Sequence, residues 1–257
     1  IDKHIAKYYL FDYKQEPRSD GYKRIFEFEN YLKEIGLKIH KDPIFGVAPM
    51  RYVAEKANLG IVRNNNFFYN KNGSWVLLES WLLDKELELK EPILKVENCP
   101  PNCNKCAEAC PTKALYAPHK FDYRLCITRL SYGALEITPE KLRDKIGEKI
   151  YGCDECQNAC PMNKNFKSNV VPFPGIEDLK DFLNPYEILK MSLDDISLIF
   201  GKKFWFISKE RPWVWKCNAI IALANKKEGF EVIKEFINDE NNEIKETAIW
   251  ALNRFVV

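Results

Sequence analysis

Histidine is scarce in this chain: its 257 residues include three, His4, His40 and His119. They lie too far apart to form a ligand spacing of their own, so histidine-based metal motifs are excluded. No run approaches 18 uncharged apolar residues, and no segment reads as a membrane span. Charge of one sign is lacking as well. Lys and Arg number 39 against 37 Asp and Glu, a net charge of +2. A global basic field for nucleic acid is therefore excluded, and any such contact must come from a local patch. The opening Ile1-Asp2-Lys3-His4 has neither an initiator Met nor the apolar stretch of a secretory signal, and reads as a trimmed or truncated start.

Hydrophobic residues at 46% and aromatics at 13% mark a folded chain, not a disordered one. The expected class is α+β, in three parts. Residues 1–96 read as a partial α/β unit. Ile25, Phe28, Leu32 and Ile35 recur at a helical period, and Tyr52 to Asn58 reads as a second helix closing near Gly60. After the turn Asn70-Lys71-Asn72-Gly73, the run Ser74-Trp75-Val76-Leu77-Leu78 reads as a buried strand. Residues 97–170 hold eight of the nine cysteines and are loop-rich, with one helix expected from Pro139-Glu140 to Lys149, capped by Thr138. Residues 171–257 read as all-helical. There Lys216-x-Asn218-Ala219-x-x-Ala222-Leu223 is echoed by Lys245-x-Thr247-Ala248-x-x-Ala251-Leu252, with Phe230, Ile233, Phe236 and Ile237 on a partner helix between them. Small alanines at equivalent places let paired helices approach closely, the pattern of a HEAT-like repeat.

The cysteines carry the chemistry. Nine cysteines clustered at metal spacings in a chain of this size argue against a secreted disulfide framework and for a reducing, cytoplasmic setting. The first motif is Cys99-x3-Cys103-x2-Cys106-x3-Cys110-Pro111 and the second Cys153-x2-Cys156-x3-Cys160-Pro161, with Cys126 alone between them. Cysteines spaced by two and then three residues, followed by Pro, form the bacterial ferredoxin run, whose last Cys ligates the other cluster. The expected ligand sets of two [4Fe–4S] clusters are Cys99, Cys103, Cys106 and Cys160, and Cys110, Cys126, Cys153 and Cys156. Zinc also takes paired cysteines, but it rarely uses the x3-Cys-Pro tail. For Cys126 the alternative is a buried thiol. Cys217, on an apolar helix face, reads as a core residue. Two adjacent clusters imply electron relay.

From Cys99 to Lys164 the chain resembles the epoxyqueuosine reductases, cobalamin-dependent enzymes of tRNA modification. The resemblance rests on Cys126-Ile127-Thr128, on Thr138-Pro139-Glu140-Lys141-Leu142-Arg143 with Ile146-Gly147, and on Ile150-Tyr151-Gly152-Cys153-Asp154-Glu155-Cys156-Gln157-x-x-Cys160-Pro161-x-Asn163-Lys164. Upstream, Ala57-x-Leu59-Gly60 and Gly73-Ser74-Trp75 are similar to parts of that family's corrinoid-binding domain, and the helical tail is similar to its HEAT-like tail. The chain departs from the family in spacing Cys99 and Cys103 by three residues, in placing Arg63-Asn64 where the family has Gly-Lys, and in a shorter N-terminal region. At the place of the family's acidic proton donor stands Ile44-Phe45-Gly46, with Asp42 nearby as the one catalytic candidate.

The resemblance implies an oxidoreductase passing electrons through two clusters to a corrinoid and a substrate, in queuosine biosynthesis on tRNA. It implies cobalamin as a further cofactor and a ferredoxin- or flavodoxin-type donor. Trp75, Leu77 and Trp81 are expected at the corrinoid's floor, and Asn64, Asn65 and Ser74 at its rim. The alternative for residues 63–69 is a turn leading into a strand. His119 is expected near the first cluster or simply at the surface. Between Gly201 and Lys216, bases alternate with aromatics, the chemistry of an RNA-contacting surface, or else of a helix pair with buried aromatics and solvated lysines. Two other functions stay open: a ferredoxin-like electron-transfer protein without its own substrate, and a reductase of the dehalogenase type.

Overall fold

The computed structural model describes residues 3–11, 16–42, 46–88, 90, 96–133, 137–164 and 172–255. Ile44 and Phe45, and the expected boundary at residues 170 and 171, lie outside the described residues. The chain is a helix-rich mixture with small two-stranded antiparallel sheets. No helix among the described residues is long and apolar enough to cross a membrane.

In the N-terminal region the Ser19 side chain caps α1 (Asp20–Glu34), accepting the Tyr22 N–H at 3.1 Å. Of the expected apolar stripe, Leu32 is buried while Phe28 and Ile35 stay about half exposed. The helix is pinned instead by Glu29, whose buried carboxylate accepts from Lys41 Nζ at 2.6 Å and Trp81 Nε1 at 3.0 Å. β1 (Ile39–His40), α2 (Met50–Lys56), β2 (Ile61–Val62), β3 (Phe68–Tyr69) and β4 (Leu82–Leu83) follow; β1 pairs with β4 and β2 with β3. The turn Asn70–Gly73 forms as expected, but residues 74–78 are not a strand. Their backbone is led away from a ladder at its first residue: the Ser74 N–H donates to Asn163 Oδ1 at 2.9 Å. Gly73 makes that approach possible. Its φ is +102°, and a Cβ there would stand 2.5 Å from the same Asn163 oxygen.

The middle region carries α3 (Lys105–Ala109), β5 (Leu115–Ala117), β6 (Lys120–Phe121), α4 (Ile127–Ser131), α5 (Glu140–Ile146) and α6 (Glu155–Asn158). α5 starts at the expected proline but ends before Lys149, because Gly147 turns to φ +63° and stops it. Thr138 does not cap it with its hydroxyl; its carbonyl accepts from Arg143 Nε at 2.9 Å.

The tail comprises α7 (Ile176–Leu179), α8 (Pro185–Lys190), α9 (Leu193–Phe200), α10 (Trp213–Lys226), α11 (Phe230–Lys234) and α12 (Asn242–Asn253). Asn184, Ser192 and Asn241 cap α8, α9 and α12 with their side chains. α10 is not amphipathic. It is buried continuously from Val214 to Ala224, enclosed by α5, α8 and α12, and Cys217 sits within it. Ala219, Ala222, Ala248 and Ala251 are all buried where α10 and α12 pack.

One apolar core runs from the cysteine region into the tail. Ile127, Leu130, Leu142, Ile146 and Ile150 share it with Phe200, Trp215, Ile220 and Leu223, and the Tyr151 ring stacks on Trp215 at 5.2 Å. Polar ties lock the same seam. Asn218 Nδ2 donates to the carbonyls of Ser131 and Ile150 at 2.7 and 2.9 Å. Arg143, 1% exposed, donates to Glu246 at 2.7 Å. The first residues are stitched to this body too: the Ile150 and Tyr151 N–H groups donate to the His4 carbonyl, and the Ala6 N–H to that of Tyr151. The cysteine loops are therefore held from two sides by rigid elements.

Candidate functional site: two four-cysteine cavities

Each cysteine motif builds the same local structure. Cys103 precedes α3, Cys106 lies in its first turn and Cys110 follows its end, just before Pro111; Cys153 precedes α6, Cys156 lies in it and Cys160 follows, just before Pro161. The short helix turns the Cys-x2-Cys pair to one side, and the extended backbone at Cys110 and Cys160 carries the third cysteine away. α3 and α6 pack together, so each departing cysteine arrives beside the other motif.

The result is two cavities. The first, of about 430 Å³, is lined by Cys99, Cys103, Cys106 and Cys160. The second, of about 580 Å³, is lined by Cys110, Cys126, Cys153 and Cys156. Both far exceed the ~30 Å³ share of one water molecule. The nine cysteines are all free of disulfides. Among the described residues, no three His, Cys, Asp or Glu side chains are gathered around a point where one metal ion would sit. A single zinc ion would need its thiolates only about 3.8 Å apart. A cubane takes each thiolate on a different iron, so its ligands stand further apart around a larger space. Eight thiols in two sets of four fit that group.

Burial raises the thiol pKa of Cys106 and Cys126, pushes Cys153 up to about 12, and pushes Cys156 upward as well. Neighbouring thiols add to this: Cys99 and Cys103 act on Cys106, and Cys153, Cys126 and Cys110 on Cys156. Backbone amides work the other way, those of Ala107 on Cys106 and of Arg129 and Thr128 on Cys126. Without metal these thiols keep their protons, so iron binding must release them.

The turn between β2 and β3 lies against both cavities. Asn64 Nδ2 donates to the Cys103 carbonyl at 3.0 Å. Asn65, 5% exposed, donates to the Tyr69 hydroxyl at 2.8 Å and the Cys156 carbonyl at 3.3 Å, and lines both cavities. Arg63 donates to the carbonyls of Glu97 and Asn98, directly before Cys99. The Tyr69 hydroxyl lies within hydrogen-bonding reach of Cys160, and burial raises its pKa. Sequence reasoning missed this clamp. A polar string, Arg-Asn-Asn-Asn, ahead of three aromatics was its only trace.

The other expected residues fall elsewhere. Ser74 Oγ donates to Gln157 Oε1 at 2.8 Å and accepts from Asn163 Nδ2, and Trp75 lies beneath the Lys7 ammonium at 5.2 Å. Asp42 is half-buried and lines neither cysteine cavity. His119 is exposed and lines the second cavity, not the first. Of the basic–aromatic strip, Lys203 is buried, with its Nζ donating to the Phe11 carbonyl at 3.3 Å, and Phe204 and Trp215 are core. Lys202 and Lys209 are exposed.

This arrangement defines a double-cluster iron–sulfur protein. The 4Fe-4S double cluster binding domain family matches residues 98–163. Over more of its length the chain is a homologue of the epoxyqueuosine reductases. It is 32% identical to that of Staphylococcus aureus over 235 residues, covering 89% of this chain and 59% of the relative, and 33% identical to that of Bacillus subtilis over 210 residues, 79% and 52% of the two. The chain thus spans little more than half the length of these relatives. Among solved structures, an epoxyqueuosine reductase with a tRNA-Tyr epoxyqueuosine-modified stem loop superposes with a TM-score of 0.76 at 26% identity, covering 98% of this chain and 66% of that one. The Streptococcus thermophilus epoxyqueuosine reductase gives 0.70 at 27%, covering 92% and 62%.

Proposed function

We propose that the chain is the electron-relay portion of an epoxyqueuosine reductase-like enzyme, with Cys99, Cys103, Cys106 and Cys160 holding one [4Fe–4S] cluster and Cys110, Cys126, Cys153 and Cys156 the other. The observation that carries this reading is the exchange: Cys160 of the second motif lines the first cavity, and Cys110 of the first lines the second. Two such clusters, when bound, supply one-electron storage and transfer. The chain's own part is to fix the loops around them, with Asn64 and Asn65 holding the Cys103 and Cys156 carbonyls. A ferredoxin- or flavodoxin-type protein would supply the electrons. The reduced substrate would be a modified nucleoside of tRNA, as the stem loop bound to the solved relative supports. The division at residues 96 and 170, a ferredoxin-like middle and a HEAT-like tail belong to the same proposal. The buried alanines between α10 and α12 support the last.

A corrinoid is a different matter. Asn64, Asn65 and Ser74, expected at its rim, are engaged in hydrogen bonds within the chain, and Trp75 lies beneath Lys7. These residues do not fit a free rim. That observation favours, as the second reading, an electron carrier without its own substrate.

Anaerobic reconstitution tests the proposal. The protein is expected to hold about eight irons and eight labile sulfides, with visible absorbance that bleaches on adding dithionite. Stoichiometric zinc without sulfide refutes it. Titration with cob(II)alamin, followed by paramagnetic resonance, separates the readings: stoichiometric binding supports a corrinoid reductase, and none supports the carrier.

A further inference from the structure

The geometry points to Arg63 as the buried counter-cation of the first cavity, holding the cluster of Cys99, Cys103, Cys106 and Cys160 at the higher reduction potential of the pair. This rests on the two-cluster reading above and goes beyond it, because that reading treats the clusters as equal.

Arg63 is 5% exposed and lines the first cavity together with its four cysteines. Its guanidinium donates to the carbonyls of Glu97 and Asn98 and lies 5.4 Å from the centre of the Tyr69 ring. Its Nε is buried with no hydrogen-bond partner. Among the described residues no carboxylate is ion-paired with it, and the Glu97 side chain beside the cavity is exposed. A buried cation neutralised only by carbonyl dipoles is expensive unless negative charge stands nearby. Four thiolates on a cubane supply that charge, and one more negative charge arrives on reduction. A fixed cation in a poorly solvated wall favours the more negative state and raises the potential.

Among the described residues no cation buried as deeply as Arg63 lines the second cavity. Lys149, whose charge acts on Cys153, is ion-paired with Glu155 at 2.8 Å, and Arg129, beside Cys126, is half-buried and outside the lining. The basic groups lining it, Arg51 and His119, are both exposed, and Arg51 donates to the Asn66 carbonyl. Solvent and salt screen exposed charges, so their effect on a cluster is smaller. The asymmetry comes from one residue in the β2–β3 turn.

The test is a redox titration of the reconstituted full chain, followed by paramagnetic resonance. Cys103→Ser marks the first-cavity cluster by altering or abolishing its signal, and the marked signal is expected to be the higher-potential one. Arg63→Gln is expected to weaken that cluster's preference for the reduced state by about tenfold, 59 mV for a one-electron couple, and to leave the other unmoved. Arg63→Lys, which keeps the charge, is expected to retain most of the potential. The proposal is overturned if Cys103→Ser alters the lower-potential signal, or if Arg63→Gln retains its iron and leaves both potentials in place. Where Arg63→Gln loses iron, the order of the parent potentials and Arg63→Lys decide: a tenfold loss with lysine overturns the charge argument. A parent chain without cubanes defeats the two-cluster reading and this one together. Eight irons with the reverse order of potentials defeats this one alone.

Discussion

The two cavities are built from the same local parts and end in different surroundings. Each takes a Cys-x2-Cys pair at a short helix and a third cysteine from the opposite motif. The first is walled by the β2–β3 turn, with the buried Arg63 and the clamping Asn64. The second opens beside the β5–β6 hairpin, where Tyr116 and Phe121 are 66% and 41% exposed, and is completed by Cys126 at the start of α4. The difference teaches that ligand spacing makes a cluster site, while its neighbours set its solvation, its proton affinity and its potential.

The largest effect is expected from breaking the exchange itself. Cys103→Ala and Cys160→Ala should each cost the same cluster, leaving about four irons, and Cys110→Ala and Cys156→Ala the other. Paramagnetic resonance compares the survivors, and spectra in which each motif serves only its own cluster refute the exchange. A smaller loss is expected at the shared wall. Asn65→Ala removes the donor to both the Tyr69 hydroxyl and the Cys156 carbonyl, and should cost roughly 1–3 kcal/mol in denaturant unfolding. Asn64→Ala removes one bond at a half-buried site and should cost about 1 kcal/mol. Equal losses would mean that the two cavities are not coupled through Asn65.

Alkaline pH should separate iron-free from iron-loaded protein. Burial raises the thiols of Cys126, Cys153 and Cys156 in the folded second cavity, with Cys153 near 12. In the unfolded chain a thiol titrates near ~8.5. Folding thus favours the protonated form, so this contribution is present below about pH 8.5 and lost as pH rises toward 12. The iron-free chain should unfold at lower denaturant at pH 10 than at pH 7, whereas bound iron already holds thiolates and should blunt the change. An equal shift with and without iron would contradict this. The smallest effect is expected at the tail. Lys202→Ala with Lys209→Ala should weaken tRNA binding modestly and flatten its dependence on log salt by up to about two counterions. Lys203 is left in place because its ammonium is part of the fold. Binding by the parent that is insensitive to the pair would move the RNA surface elsewhere.

Much of the site was legible along the chain. Ligand spacing is a local property: two or three residues between cysteines and a following proline dictate a short helix and a departing third cysteine wherever the loop is placed. The helical tail was legible for a similar reason, since α10 and α12 repeat their small and apolar positions. The strand expected at residues 74–78 was not there to be found. Its apolar run is uninformative about pairing, and a distant asparagine, Asn163, claims its first N–H. The rim expected from Asn64, Asn65 and Ser74 had the right chemistry for polar contact, but residue type cannot say whether an amide faces a ligand or a neighbouring carbonyl.

By itself, then, the sequence determined the iron–sulfur class and the two Cys-x2-Cys-x3-Cys-Pro loops, because those follow from spacing within short stretches of chain. Tertiary structure alone decided that the β2–β3 turn closes over the cysteine loops, that Lys203 and Lys216 are buried while Lys202 and Lys209 are not, and that Arg63 stands at one cavity and not the other. Those outcomes depend on contacts between residues tens to nearly two hundred positions apart. Periodicity and composition carry no record of which distant groups meet; the shared core and its hydrogen bonds settle that.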